Sequence, residues 1–145
     1  MNPFSICLIA KNEEKYIETC LKNLKRYDWE IIVTDTGSTD RTLEICKKYT
    51  NNIYYFDWIN DFSAARNYCV SKASNDWILS IDSDEYLTNE QTEEFLLNLL
   101  TSCFTHPESA GMVDIINPQS SSMGTSTSIE PVARFFHKKY YSYEG

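Results

Sequence analysis

The chain has 145 residues, 42% apolar and 14% aromatic, with a formal charge of −8 and a pI near 4.7. That is one domain's worth of chain with enough apolar residues for a full core, which excludes disordered and collagen-like classes. An acidic average surface repels polyanions and excludes broad binding to nucleic acid or anionic membranes.

The stretch "FSICLIA" (4–10) is a continuous apolar run of strand length, as expected of a strand covered on both faces. Beyond "KNEE", Ile17, Cys20, Leu21 and Leu24 recur at helical spacing, with Asn12 as the expected cap and Glu13 and Glu14 in the first turn. The unit then repeats. "EIIVTD" (30–35) reads as a second buried strand, "TGST" as a turn, and "DRTLEICKKY" as a helix with Leu43, Cys46 and Tyr49 inward. "NIYYFDW" (52–58) reads as a third strand, "DFSAARNYCVSKA" (61–73) as a helix begun by Asp61 or Ser63, and "DWILSID" (76–82) as a fourth strand. This alternation predicts an α/β fold, a Rossmann-like, mostly parallel sheet with helices on both faces.

After residue 88 the rhythm changes. "NEQTEEFLLNLLTSCF" places Leu96, Leu99, Leu100 and Cys103 on one helical face, "SAGMVDIIN" reads as a strand, and the polar stretch 118–128 as a flexible loop. "IEPVARFFHKKYYSY" reads as a last strand or hairpin arm. Its basic residues Arg134, Lys138 and Lys139 suit either an anion or a solvated strand edge. The five cysteines show neither CxxC nor zinc spacing and fall on apolar strands or stripes, so they are read as core thiols of a reduced interior. With no leader-like opening and no apolar run near the roughly 18 residues of a membrane span, the expected location is cytoplasmic, or peripheral at the inner membrane surface.

In an open parallel sheet, ligands bind beyond the carboxyl ends of the strands. Those ends carry Ala10 to Glu13, Asp35 to Ser38, Asp57 with Asp61, and Asp82, Asp84 and Glu85. Acids directly after "WILSI" need a positive partner, because desolvation and mutual repulsion raise their energy. Two aspartates one residue apart on an extended segment point the same way, so Asp82 and Asp84 can address one object while Ser83 faces away. Hard oxygen ligands suit Mg²⁺ or Mn²⁺ carrying a diphosphate. A calcium loop counted from Asp82 fails, since Leu87 stands where the turn needs glycine and a strand leads in. Nucleotidyl transfer would call for a glycine-rich phosphate loop, and "AKNEE" has no glycine.

The pieces "SICLIAKNEEKYIETCLKNL", "DTGSTDRTLEI", "DFSAARNYCVSKASNDWILSIDSDEYL" and "RFFHKKYYSYEG" resemble, in order, the N-terminal part of family 2 glycosyltransferases of GT-A fold. The resemblance implies a metal-dependent, inverting transferase that moves a sugar from a UDP-sugar to an unknown acceptor, a glycan, lipid-linked sugar or peptide. An alternative is a truncated domain that binds or hydrolyses the nucleotide-sugar without transfer. It further implies that Ala10 and Glu13 flank the nucleoside, Asp35 holds the base or ribose, Gly37 lets the turn approach closely, and Arg66 faces the nucleotide or its diphosphate. Asp82 is expected near ribose and metal and Asp84 on the metal itself. Thr36 stands where many relatives carry an acid. The catalytic base is expected beyond Gly145, with Glu144 and, more weakly, Glu130 as candidates inside the chain. The expected organisation is a single domain over 1–145, with a nucleotide-sugar half (1–88) and the start of an acceptor half (89–145), incomplete on the acceptor side.

Overall fold

The structure is a computed structural model and describes residues 4–27, 29–87, 93–104, 111–117, 128–140 and 142–143. Strands β1 (Phe4–Ala10), β2 (Glu30–Asp35), β3 (Ile53–Tyr55), β4 (Trp77–Ser80), β5 (Tyr86–Leu87), β6 (Gly111–Asn117) and β7 (Ser128–His137) form one seven-stranded sheet in the order β3-β2-β1-β4-β7-β6-β5. The first four strands run parallel, whereas β7, β6 and β5 join antiparallel.

Apolar residues on both faces of the central strands explain the layering. Phe4, Ile6, Leu8 and Ala10 of β1 share one core with Ile31, Val33, Trp77, Leu79 and Phe135. Helices α1 (Ile17–Leu24) and α2 (Thr42–Cys46) cover that face with Ile17, Cys20, Leu21, Leu24, Ile45 and Cys46, and Leu96 of α4 (Glu93–Phe104) joins them. On the other face Cys7, Ile32, Ile78 and Phe136 pack against Cys69 of α3 (Phe62–Ser71) and against Ala73. The expected α/β sheet with helices on both faces is therefore present.

The chain reverses its direction of travel across the sheet at β1. It moves outward from β1 through β2 to β3, then crosses by α3 to β4 on the other side of β1. Where crossovers keep one hand, reversal puts the helices on opposite faces and opens a crevice at the carboxyl ends of the two strands at the switch. Here those strands are β1 and β4.

Several expectations are corrected in detail. Asn12 does not cap α1: the helix begins at Ile17, and its N-cap, Tyr16, makes no side-chain cap bond. Instead Asn12 sits at φ 53°, donates its backbone N–H to Ser38 Oγ at 2.9 Å and accepts Thr39 N–H at 2.8 Å. Glu13 N–H donates to Thr42 Oγ1 at 2.8 Å, so the loop after β1 is latched to the loop after β2. In α2, Ile45 with Cys46 is buried where Leu43 was expected. Strand β3 stops at Tyr55, short of residue 58.

Strand β7 is interior, between β4 and β6, not a solvated edge. Lys138 is drawn onto the fold, its ammonium donating to the Ala73 carbonyl at 2.9 Å. The stretch expected as a loop lies outside the described residues over 118–127, as does the Cys103 side chain. Cys7, Cys20, Cys46 and Cys69 are buried free thiols, as read from their positions.

Candidate functional site

A cleft of about 420 Å³ opens at the switch point, within the usual size range of small-molecule sites. Its walls come from the end of β1 (Ile9, Ala10) and the latched loop (Lys11, Glu13), from Thr36, from Trp58, Phe62 and Arg66 on and before α3, and from Asp82, Ser83 and Asp84 after β4. The β1–β2 register aligns Ala10 with Asp35, and Ile81 N–H donates to the Cys7 carbonyl at 3.1 Å, so the ends of three strands meet there.

The three clustered acids have three different surroundings. Asp82 accepts from Arg66 Nη2 at 3.1 Å, an ion pair with side chains 26% and 32% exposed. Glu85 turns back: its Oε1 accepts the Asp82 backbone N–H at 2.9 Å, while Glu85 N–H donates to the Asp82 carbonyl at 3.0 Å. Glu85 thus closes a tight turn and is itself buried. Asp84 faces the cleft. The acids accordingly sit on a turn, not on an extended segment, and Ser83 lines the cleft beside both aspartates instead of facing away. The first positive partner is a protein side chain, Arg66.

Arg66 is held from several sides. Its guanidinium lies over the Phe62 ring at 5.5 Å and over the Tyr143 ring at 5.4 Å. Tyr143 is docked on α3 by reciprocal 2.8 Å bonds, its N–H to Asn67 Oδ1 and its carbonyl from Asn67 Nδ2. The helix itself is started by Asp61, whose Oδ1 accepts Ala64 N–H at 3.1 Å.

Across the cleft, burial pushes the Glu13 carboxyl above its ordinary range, and the nearby charges of Asp84, Asp40 and Asp82 push it further. The carboxylates thus raise one another's energy across the cleft. Among the described residues no three His, Cys, Asp or Glu groups are set for a metal. Two aspartates nevertheless fit Mg²⁺ or Mn²⁺, which take one or two carboxylates and leave other positions to phosphate oxygens and water.

Asp35 is buried behind Thr36 and does not line the cleft. Its Oδ2 accepts Gly37 N–H and Ser38 N–H, each at 3.0 Å, and Oδ1 is buried without a partner among the described residues. Gly37 stands at φ 118°, and a Cβ there would meet nothing within 4 Å. Backbone conformation, not crowding by the protein, is what calls for glycine.

The structure therefore gathers Ala10, Glu13, Arg66, Asp82 and Asp84 in one cleft and sets Asp35 and Gly37 just outside it. Glu144 and the Glu130 side chain lie outside the described residues. Sequence reasoning missed Trp58, Phe62, Ser83 and Tyr143 as neighbours of the site. For Trp58 and Phe62 a signal existed: both are large apolar residues at a strand-to-helix junction that fit neither a strand nor a helix core pattern.

The chain matches the family model "Glycosyl transferase family 2" over residues 5–127 and belongs to that family. It is 42% identical over 85 residues to the SPbeta prophage-derived glycosyltransferase SunS of Bacillus subtilis, covering 57% of this chain and 20% of that protein. Among solved structures, S. aureus TarS (residues 1–349) in complex with UDP superposes with a TM-score of 0.58 at 30% identity, covering 73% of this chain and 33% of that one. The mannosyltransferase PcManGT of Pyrobaculum calidifontis, in complex with GDP-Man and Mn²⁺, gives a TM-score of 0.61 at 18% identity over 81% and 36% of the two chains, a likeness of fold. The sheet is thus that of GT-A glycosyltransferases. The chain spans 20–23% of the length of the first curated relatives.

Proposed function

We propose that this domain holds a UDP-sugar and a divalent cation in the switch-point cleft and transfers the sugar, with inversion, to an acceptor that is a glycan, lipid-linked sugar or peptide. The observation that carries the reading is the meeting of Asp84, Asp82 and Arg66 in one cleft of a family 2 glycosyltransferase sheet. The donor class is supported by TarS, solved with UDP.

In this reading Asp84, with Asp82 alongside, would hold Mg²⁺ or Mn²⁺, which would supply positive charge for the leaving diphosphate. Arg66 and Lys11, which both line the cleft, offset the remaining phosphate charge. Ala10 and Glu13 flank the nucleoside, and Asp35, just outside the cleft, serves base or ribose by holding the Gly37 and Ser38 amides of the turn. Gly37 keeps that turn free of a side chain. Residues 1–88 form the donor half and 89–145 begin the acceptor half. No helix among the described residues is long and apolar enough to cross a membrane, and we place the domain in the cytoplasm or at the inner membrane surface.

A second reading, binding or hydrolysis of the donor without transfer, is favoured by one observation. Among the described residues the carboxylates lining the cleft are Glu13, Asp82 and Asp84, all on the donor side, whereas an inverting transferase needs a base for the acceptor hydroxyl. Calorimetry with UDP and Mn²⁺ on the wild type and Asp84→Asn tests the site. The substitution is expected to remove the metal-dependent part of UDP affinity while the circular dichroism spectrum is retained; unchanged metal-dependent affinity contradicts the assignment. A transfer assay with UDP-sugars then separates the two readings, since binding without product supports the second.

A further inference from the structure

Among the described residues that line the cleft, Trp58 and Phe62 are the aromatic ones. They meet edge to face, with centroids 4.8 Å apart and planes at 66°. Neither belongs to the sheet cores. Phe62 is 58% exposed and neighbouring Ile59 is 60% exposed, a concentration of apolar surface outside both sheet cores.

The pair is nonetheless built. The indole N–H of Trp58 donates to Asn60 Oδ1 at 3.0 Å, and Asn60 adopts the left-handed conformation at φ 59° that brings its amide back to the ring. Asparagine is among the few residues that tolerate that conformation. Phe62, one helical turn before Arg66, carries that guanidinium over its ring. The cleft is therefore polarised: Asp82, Ser83 and Asp84 on one wall, aromatic rings on another. The strand-one wall, Ile9, Ala10, Lys11 and Glu13, has no ring to offer.

We infer that Trp58 and Phe62 form the stacking platform for the nucleobase of the donor, with Asn60 as the positioning residue that fixes the indole. The inference rests on the nucleotide-donor reading above. Base-to-aromatic stacking needs only a π-face, so the platform supplies affinity for any base and little choice among bases. Choice of base must come from polar groups outside the platform.

Trp58 is also a built-in probe, because Trp29 and Trp77 are both buried, at 5% and 7% exposure. UDP with Mg²⁺ is expected to quench Trp58 emission in the full chain, and pyrophosphate with Mg²⁺ is expected to leave it unchanged. By calorimetry, Trp58→Leu and Phe62→Ala should each weaken UDP roughly ten-fold or more, in the range of one lost base stack. Asn60→Gly, which keeps the backbone conformation and removes the indole acceptor, should weaken UDP by a smaller factor and leave the melting temperature in place. Variants that bind UDP as the wild type does, or pyrophosphate that quenches as strongly as UDP, overturn the platform alone. A wild-type chain that binds no UDP overturns the nucleotide-donor reading and the platform with it.

Discussion

The Arg66–Asp82 pair lends itself to a double-mutant cycle with Arg66→Met and Asp82→Asn. At the observed 3.1 Å, bare Coulomb attraction in an effective dielectric near 20 is about 5 kcal/mol. Both side chains are roughly 70% buried, so part of that attraction is screened and part is spent on desolvation, leaving a net coupling of ~1–2 kcal/mol. The single variants should be unequal. Arg66→Met strips from the cleft the cation paired with Asp82 while Asp82, Asp84 and Glu13 stay, and also disturbs the contacts with Phe62 and Tyr143, so ~2–3 kcal/mol is expected. Asp82→Asn orphans the guanidinium but relieves carboxylate crowding, and ~1 kcal/mol is expected. Urea unfolding followed by circular dichroism, at constant m-value, gives the four free energies. A coupling below about 0.3 kcal/mol, the level of simple additivity, or Asp82→Asn proving the costlier single change, would refute this electrostatic reasoning.

Four further outcomes are expected. Asn23 accepts Leu87 N–H at 2.9 Å and donates to the Leu87 carbonyl at 3.0 Å, so Asn23→Ala should cost about 1–3 kcal/mol and abolish hydrogen-exchange protection of the Leu87 amide. Burial raises the Glu30 carboxyl, but bonds from Ser74 and Ser5 outweigh it and hold the group below its ordinary range. A depressed carboxylate stabilises above its unfolded value, about 4.3, and loses that contribution as pH falls through the folded value. Glu30→Gln should therefore be the less stable form at pH 7, by less than about 1 kcal/mol because solvent screens a partly exposed group, with the gap to wild type closing below about pH 4 in pH-dependent urea titrations. Gly37→Ala should lower stability by roughly 1–2 kcal/mol in thermal melts through its φ of 118°. Phe135→Ala, at a ring 1% exposed between Phe4 and Trp77, should cost about 3–5 kcal/mol in urea unfolding.

The parallel half of the fold was legible because its strands are buried on both faces, and continuous runs such as "FSICLIA" admit few other readings. Helix α3 was legible to within two residues at its start, where Asp61 and Ser63 both suit a cap and the structure uses Asp61. Asn12 misled because an Asn before an amphipathic run looks like a cap, whereas here a long-range latch to the loop after β2 claims its side chain. Tyr86–Leu87 is too short to show periodicity, and only pairing with β6 makes it a strand. At the site, Asp82 and Asp84 could be found from their placement after an apolar strand. The Arg66 ion pair could not, because it joins residues sixteen apart through a helix crossing. Nor could the role of Glu85 be foreseen, since it depends on a tight turn that alternation along a strand does not predict.

Diffraction from crystals soaked in UDP and Mn²⁺, read as an anomalous difference map at the manganese edge, shows where the cation binds. A manganese peak is expected within ligand distance of Asp84 and beside Asp82, with Arg66 still in the cleft. A peak elsewhere, or a cleft that holds UDP with no metal at Asp84, would contradict that placement.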